Sequence, residues 1–578
     1  MINNIPRPEH PNPQWMRDSW INLNGTWEFE FDFGVSARER KLYEGGKLSR
    51  RITVPFCPES KLSGIGHTDF IPSVCYRKVI SLTEEEASGR VVLHFGAVDY
   101  RSYVYINGKL ANEHIGGYAS FEVDITDYVT VGENVIFLIA EDDERNGEQP
   151  TGKQSRWYNS CGCYYTRTTG IWQTVWLEFT PKEYVKNCKY YPDITNGILN
   201  VMGEVCGQGD IILEASFEGK PMGSAVAKPL CGSFTASIKL DEVHLWEIGC
   251  GRLYDLKIKF GDDVVDSYFG MRQVGLEGKK FMLNGKALFL RTVLDQGFYP
   301  DGIYTAKDDD TLKRDIELSQ NFGFHGARLH QKVFEKRFIY HCDKAGYIIW
   351  GEHANWGLDC TDAVAQGNFI CEWSEIVQRD FNSPAIIGWC PFNETWEYIE
   401  RKKNTRILES VYKMTKFYDT TRPCIDTSGN YHIDKREIYD IHDYEQDVEK
   451  FASYYAEIDK GIVNDQIMRN HNGKETQPYF GEPVFMSEYG GIKWAPGSME
   501  GWGYGDAPKS LEEYVDRYCK LADLLITNPN IMGLCYTQLY DVEQEQNGLY
   551  YYDRTPKFDE KTVAQLRAAM EKKAAIEG

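Results

Sequence analysis

Two glutamates carry the chemistry that this sequence suggests first. Glu488 follows the apolar run Val484-Phe485-Met486, so a carboxylate leaves a buried strand directly, and its lost hydration costs free energy unless the group is paired or used. Glu394 follows Pro391-Phe392-Asn393 and precedes Trp396, surroundings that raise a carboxyl pKa and keep the group protonated. One protonated and one ionised carboxyl facing each other suit the cleavage of an acetal, whose leaving oxygen takes a proton while the oxocarbenium-like carbon is trapped from the other side. A separation of about 5 to 5.5 Å would let the second carboxylate attack directly and retain configuration, and a wider gap would admit water and invert it. The sequence leaves that gap open. For either glutamate alone, the alternative is a solvated or salt-bridged loop residue.

Such a pair needs a scaffold that aims side chains at one mouth. After Phe281, short apolar runs alternate with segments of helical spacing, such as Ile407, Leu408, Val411, Met414 and Tyr418, or Leu511, Tyr514, Val515, Tyr518, Ala522 and Leu525. The strand candidates are 288–292, 326–330, 347–350, 386–390, 423–426, 438–442, 484–487 and 531–536. Eight strands separated by helices predict a (β/α)8 TIM barrel. The competing open doubly wound sheet would carry a Gly-rich phosphate turn after its first strand, and Gln296-Gly297-Phe298-Tyr299-Pro300 is not one.

A barrel gathers its chemistry at the C-terminal strand ends. Asp295 and Gln296 follow the first strand; Arg328, His330 and Lys332 end the second; Trp350, Glu352 and His353 end the third. Asn393, Glu394 and Trp396 follow the fourth, His442, Asp443 and Tyr444 the sixth, Glu488 and Tyr489 the seventh, and Gln538 the eighth. Ala327 and Leu329 place Arg328 within a buried strand, where it pairs with a carboxylate at the mouth, Glu488 being one candidate; a surface salt bridge is the alternative.

Before the barrel the chain reads as antiparallel β. In residues 1–182 the runs 27–31, 91–95, 103–106 and 135–139 predict a jelly roll or sandwich, with Asn24-Gly25 and Asn107-Gly108 as tight hairpins. Residues 183–274 suit an immunoglobulin-like β-sandwich, and residues 275–578 complete the barrel. Aromatic residues make up 14% of the chain, as fillers of β cores or as platforms for sugars or bases.

A net charge of −22 repels phosphate backbones and anionic membranes, so nucleic acid is not expected as a partner. No stretch approaches the ~20 apolar residues of a membrane span, and the start, Met1-Ile2-Asn3-Asn4-Ile5-Pro6-Arg7-Pro8, lacks the order of a secretory signal. The expected location is cytoplasmic, although a chain trimmed of its signal would read the same. The 15 Cys are dispersed, with Cys161 and Cys163 as the one close pair, which points to reduced thiols. Asp308-Asp309-Asp310 more simply start a helix than hold a metal.

Asn393-Glu394 and Ser487-Glu488-Tyr489-Gly490 resemble the acid/base and nucleophile motifs of glycoside hydrolase family 2, which holds β-galactosidases, β-glucuronidases and β-mannosidases. Gly170-Ile171-Trp172-Gln173-Thr174-Val175-Trp176-Leu177-Glu178 resembles the segment closing that family's first domain, and Phe269-Gly270-Met271-Arg272 its entry to the barrel. The resemblance implies a retaining exo-glycosidase with a sugar-binding jelly roll, an immunoglobulin-like sandwich and a TIM barrel, acting on a glycoside or oligosaccharide, and it leaves a homo-oligomer open; no cofactor or catalytic metal is expected. Glu394 would be the acid/base, Glu488 the nucleophile, Asn393 a partner of the sugar 2-hydroxyl, and Tyr444 the tyrosine that orients the nucleophile, with an aromatic lid as its alternative.

The departures concern the sugar. The family's β-galactosidases carry a His-containing Arg-Gly segment where this chain has Arg291-Thr292-Val293-Leu294-Asp295-Gln296-Gly297. Its β-glucuronidases carry an Asn-x-Lys where this chain has Gln546-Asn547-Gly548-Leu549-Tyr550, which disfavours a glucuronide. A Trp common at the end of strand eight gives way to Tyr536-Thr537-Gln538-Leu539. A neutral glycoside such as a β-galactoside is expected, with a β-galactofuranoside or α-L-arabinofuranoside as alternatives and His330, Gln331, Lys332, Gln296 and Gln538 as hydroxyl donors. Trp350, Trp396 and Tyr444 are expected where sugars stack. The loop 443–482 borders the leaving-group subsite, or packs on the outside or at a subunit interface. A non-catalytic carbohydrate-binding protein on the same fold is the opposing class.

Overall fold

The structure is a computed structural model, and it describes residues 5–395, 405–429, 432–461, 479–496 and 501–578. The first strands build two antiparallel sheets, one of four strands (Trp20–Asn22, Val175–Thr180, Arg90–Phe95, Phe121–Asp124) and one of six that includes Gly25–Phe31, Ser73–Leu82, Gly132–Glu141 and Arg101–Ile106. Alternate residues of both sheets, among them Leu93, Phe95, Leu177, Trp27, Tyr76, Val104 and Leu138, meet in one core. Asn107 and Gly108 both have positive φ and join Arg101–Ile106 to Lys109–Ile115 as a two-residue hairpin. Asn24-Gly25 differs from expectation. It carries the chain from one sheet to the other, because Trp20–Asn22 pairs with Val175–Thr180 while Gly25–Phe31 pairs with Arg50–Val54.

A second sandwich follows, of three strands (Tyr184–Asp193, Ile198–Cys206, Ser233–Lys239) and four (Lys220–Ala227, Ile211–Phe217, Leu253–Phe260, Asp263–Gly270). Ser233–Lys239 alternates exposed and buried residues without a break, as a half-buried strand must. A small meander, Val274–Glu277, Lys280–Leu283 and Lys286–Leu288, then precedes the barrel, so the first barrel strand starts at Leu290 rather than 288.

The barrel is parallel throughout. Leu290–Asp295 pairs with Gly326–Leu329 on one side and Ile531–Thr537 on the other; Ile348–Glu352, Ile386–Cys390, Val484–Gly490 and Tyr439–Asp443 continue outward in both directions. The expected fifth strand is the exception. Residues 423–428 touch the fourth strand through the isolated parallel bridges Trp389↔Cys424 and Asn393↔Ser428. They meet the sixth strand region through side chains instead: the Cys424 N–H donates to Glu437 Oε2 at 2.9 Å, and Ser428 Oγ lies 2.8 Å from His442 Nε2. The sequence Asp426-Thr427-Ser428-Gly429 explains this, since short polar side chains compete for the backbone and interrupt a ladder.

The two predicted helices are present as Thr405–Tyr418 and Leu511–Ile526. Asp308 caps the helix Asp309–Asn321 by accepting from the Thr311 N–H, and Asp309 pairs with Arg337 and His341. In the loop 443–482, Val448–Tyr455 is a helix whose Phe451 and Tyr455 join the barrel core, and residues 462–478 fall outside the described residues. None of the fifteen Cys is joined in a disulfide. Among the described residues no helix is long and apolar enough to cross a membrane.

Candidate active site

Arg328 sits at the centre of the barrel mouth, fully buried, with its fork spread over two carboxylates. Nη2 donates to Glu352 Oε2 at 2.7 Å and to Asn393 Oδ1 at 2.9 Å; Nη1 donates to Glu488 Oε1 at 3.1 Å and to the Ser487 carbonyl at 2.9 Å. Burial alone would discharge the guanidinium, but Glu352 and then Glu488 outweigh it and drive its pKa well above the ordinary value. Glu352 is used up by this role: its other oxygen accepts from the Gln331 N–H at 3.0 Å and lies 3.0 Å from His330 Nδ1. His330 is held neutral by burial and by the nearby positive charge of Lys153.

Glu488 is 4% exposed and faces Tyr444, whose hydroxyl donates to its Oε2. The phenol is itself pushed well above its ordinary pKa, by burial first and then by the charge of Glu488. Tyr444 stacks on Tyr504 with ring centroids 3.4 Å apart, and Gly491, at φ +61°, leaves room for the stack because a Cβ there would come within 2.4 Å of Tyr504. Glu394 projects from a left-handed backbone, φ +46°, pinned where its N–H donates to the Ser428 carbonyl at 2.7 Å. Such a conformation in a non-glycine residue costs about 1 kcal/mol and persists where the surroundings impose it.

Between the glutamates stands His442. Its Nδ1 lies 2.7 Å from Glu394 Oε1 and 3.4 Å from Glu488 Oε2, and one donor atom from each of the three falls within 4.8 Å of the others. The placement follows from the ladder: in the register of the sixth and seventh strands His442 stands opposite Glu488, after an irregularity between Ile441 and His442. Among the described residues this is the one cluster of such side chains compact enough for a metal ion. Arg328 at 3.1 Å and the Tyr444 hydroxyl already occupy Glu488, and a guanidinium that close repels a second cation.

Other expected residues divide into those at this centre and those elsewhere. Asn393 is at the centre, with Nδ2 buried and without a hydrogen-bond partner among the described residues. Gln296 Nε2 donates to Gln538 Oε1 at 2.8 Å and Gln538 to Asn547 Oδ1 at 2.8 Å, and Gln296 Oε1 is buried without a partner among the described residues. Asp295 is turned to scaffolding, accepting from the Gly297 N–H at 3.0 Å and from the Tyr540 hydroxyl. Lys332 is not at the mouth: its Nζ donates to the carbonyls of Gly297 and Tyr304 at 2.5 and 2.8 Å, and burial lowers its pKa to about 7. Trp350 is no sugar platform, because it is 0% exposed inside the barrel against Phe485 and Gly388. Trp396 lies outside the described residues.

Two participants carried little or no assignment in the sequence. His442 sits two residues before Tyr444, so period-two alternation puts both on one face, a signal that was available. Lys153 gave none, for it comes from the first β unit. The segment around it docks on the mouth: the N–H groups of Thr151 and Gly152 donate to the Trp356 carbonyl at 2.7 and 3.0 Å, and the Tyr165 hydroxyl donates to Glu545 at 2.5 Å. Gly152 is required, since a Cβ there would lie 2.4 Å from the Gln331 carbonyl oxygen. Lys153 Nζ lies 4.4 Å from the Trp356 ring centroid and makes no hydrogen bond or ion pair among the described residues. Burial works to lower its pKa, but Cys163, Glu545, Glu488 and Glu394 outweigh it and raise it.

The chain is similar to known proteins over most of its length. Residues 64–161 match the model of the glycosyl hydrolases family 2 sugar binding domain, and residues 274–571, over half the chain, match that of the family 2 TIM barrel domain. A β-galactosidase of Thermoanaerobacter pseudethanolicus is 26% identical over 54% of this chain and 44% of its own length, so the chain spans under half of that relative. A β-glucuronidase of Chlorocebus aethiops is 26% identical over 81% of this chain and 78% of its own. Among solved structures, a β-glucuronidase from an uncultured Clostridium sp. superimposes with a TM-score of 0.77 at 20% identity over 96% of this chain and 98% of its own, a likeness of fold. The chain belongs to glycosyl hydrolase family 2.

Proposed function

We propose that the protein is a retaining exo-glycoside hydrolase that removes a terminal non-reducing sugar by double displacement. Glu488 is the nucleophile and Glu394 the acid/base. The observation that carries this reading is the closeness of the two carboxylates, whose facing oxygens lie within 4.8 Å, in keeping with the roughly 5 to 5.5 Å of retaining enzymes and short of the gap that would seat a water. Their environments differ in the required direction. The Glu488 side chain, 5% exposed, is held in place by donors on Arg328 and Tyr444; that of Glu394, 14% exposed, has the freer access that a leaving group and an incoming water need.

In the first step the Glu394 proton passes to the glycosidic oxygen as that bond breaks, and Glu488 bonds to the anomeric carbon. In the second, water bonds to that carbon, gives its proton to Glu394, and Glu488 departs. Asn393 Nδ2 donates to the sugar 2-hydroxyl, an interaction that strengthens in the transition state and lowers the barrier.

The sugar is neutral, with a β-galactoside as the leading substrate. Three acidic side chains, Glu545, Glu488 and Glu394, already surround Lys153, so a uronate would bring a further negative charge to a site balanced without it. Asn547 donates to Glu545 at 3.1 Å and accepts from Gln538, which leaves it engaged within the protein. A panel of 4-nitrophenyl β-galactopyranoside, β-glucuronide, β-galactofuranoside and α-L-arabinofuranoside tests the assignment. Turnover of the galactopyranoside above the others supports it; preference for the glucuronide contradicts the neutral sugar, preference for a furanoside contradicts the ring form, and turnover of no glycoside points to a binding protein.

A further inference from the structure

The acid/base of a retaining hydrolase must hold a proton in one step and lack it in the next, and Glu394 does not face that requirement alone. Its Oε1 lies 2.7 Å from His442 Nδ1, a hydrogen bond in the short range expected of charged partners. The far side of the ring is fixed as well, with Nε2 at 2.8 Å from Ser428 Oγ, which in turn lies 3.3 Å from Asp440 Oδ2. Gly429, at φ +97°, makes space for the pair: a Cβ there would lie 3.2 Å from both Glu394 Cγ and His442 Nδ1. Among the described residues, the charged and titratable groups facing the ring come from several elements. They are Glu394 from the fourth strand end, Glu488 at 3.4 Å from the seventh, Arg328 at 3.4 Å and His330 from the second, and Asp440 from its own strand. Burial works against a charged ring, but Glu488, then Glu394, outweigh it, and the pKa of His442 stands above its ordinary value.

We propose that His442 is a positioning residue that shares the working proton with Glu394, so that the Nδ1–Oε1 hydrogen bond as a unit protonates the leaving oxygen and deprotonates water. This rests on the roles given above to Glu394 and Glu488. In the free enzyme the pair holds one proton. When Glu394 delivers it to the glycosidic oxygen, the C–O bond breaks with its electrons going to that oxygen, and Glu488 becomes a neutral ester; the pair is left as a carboxylate beside a neutral imidazole that keeps its Nε2 proton. Water then bonds to the anomeric carbon, its proton returns to the pair, and Glu488 leaves as a carboxylate. The charge of Glu488 therefore reports to the proton through His442: present, it favours a loaded pair; esterified, it ceases to do so.

The test is the pH dependence of kcat/KM for His442→Asn and the wild type, with a 4-nitrophenyl and an alkyl glycoside of the preferred sugar. The expected result is that the alkaline limb moves to lower pH by about one unit or more in the variant, with a loss at least about tenfold larger on the alkyl glycoside, whose leaving group needs the proton. An alkaline limb that stays in place overturns the proposal. A measurement on folded protein stands beside it: the imidazole 15N resonances of the wild type include one titrating above 6.5, and that resonance shifts in Glu394→Gln; if no histidine resonance responds to Glu394→Gln, the proposal falls. The two levels separate cleanly. Inactive Glu488→Gln with an unmoved limb in His442→Asn overturns the histidine's role alone, whereas wild-type turnover by Glu488→Gln overturns the underlying reading.

Discussion

The guanidinium of Arg328 places Nη1 at 3.1 Å from Oε1 of Glu488. The same group holds Glu352 at 2.7 Å, so one buried cation serves two buried carboxylates. Replacing it with an apolar side chain strands both. Arg328→Met is expected to cost about 3–5 kcal/mol of stability, read as a lower midpoint in urea unfolding, and to abolish turnover. Wild-type stability in that variant would show that the carboxylates find other partners.

Tyr444 acts on Glu488 from the other side, and its loss leaves no charge stranded. Tyr444→Phe should therefore keep the unfolding midpoint while kcat falls by about 10²–10³, the effect of losing one preorganised donor. A midpoint that drops with unchanged kcat would assign the hydroxyl to packing.

Lys153 reaches the mouth from the first β unit and has no hydrogen-bonding partner among the described residues. Its ammonium is expected to donate to a sugar hydroxyl, so Lys153→Met should lower kcat/KM by at least about tenfold. Unchanged kinetics on the preferred glycoside would place Lys153 outside the sugar's reach.

A pH effect on stability is expected far from the mouth. Glu59 is buried, its Oε1 has no hydrogen-bond partner among the described residues, and burial pushes its pKa up to about 8, with the charge of Asp142 adding to the rise. A carboxyl raised above its unfolded value of 4.5 binds its proton more tightly in the folded state. The stability it confers is complete below pH 4.5 and is lost as pH climbs through 8. Thermal unfolding should therefore shift to lower temperature between pH 5 and 8, and Glu59→Gln should flatten that slope. Parallel curves for the two proteins would count against it.

The barrel was legible because its strands are continuous apolar runs: 386–390 and 484–487 lie within the observed Ile386–Cys390 and Val484–Gly490. The fifth strand was misread because apolar Cys424 and Ile425 outweighed Asp426-Thr427-Ser428-Gly429, whose side chains replace the ladder. Strand-end reading brought Arg328, Asn393, Glu394, Tyr444 and Glu488 to one centre, because period two and the parallel register force side chains at corresponding heights inward. The same reading placed Lys332 and Trp350 wrongly. A strand end gives height but not direction, and Lys332 turns back to the carbonyls of Gly297 and Tyr304 while Trp350 fills the space beside Gly388. Lys153 was out of reach of any local pattern, since docking of one folded unit on another sets its position.

The nucleophile is the centre of the account, and trapping it tests that most directly. With the preferred sugar as its 2-deoxy-2-fluoro glycoside bearing a good leaving group, mass spectrometry of the digested protein should find one fluoroglycosyl group, on the peptide containing Glu488 and on that residue. A label on Glu394 or elsewhere, or no label together with hydrolysis that inverts the anomeric centre, would contradict it.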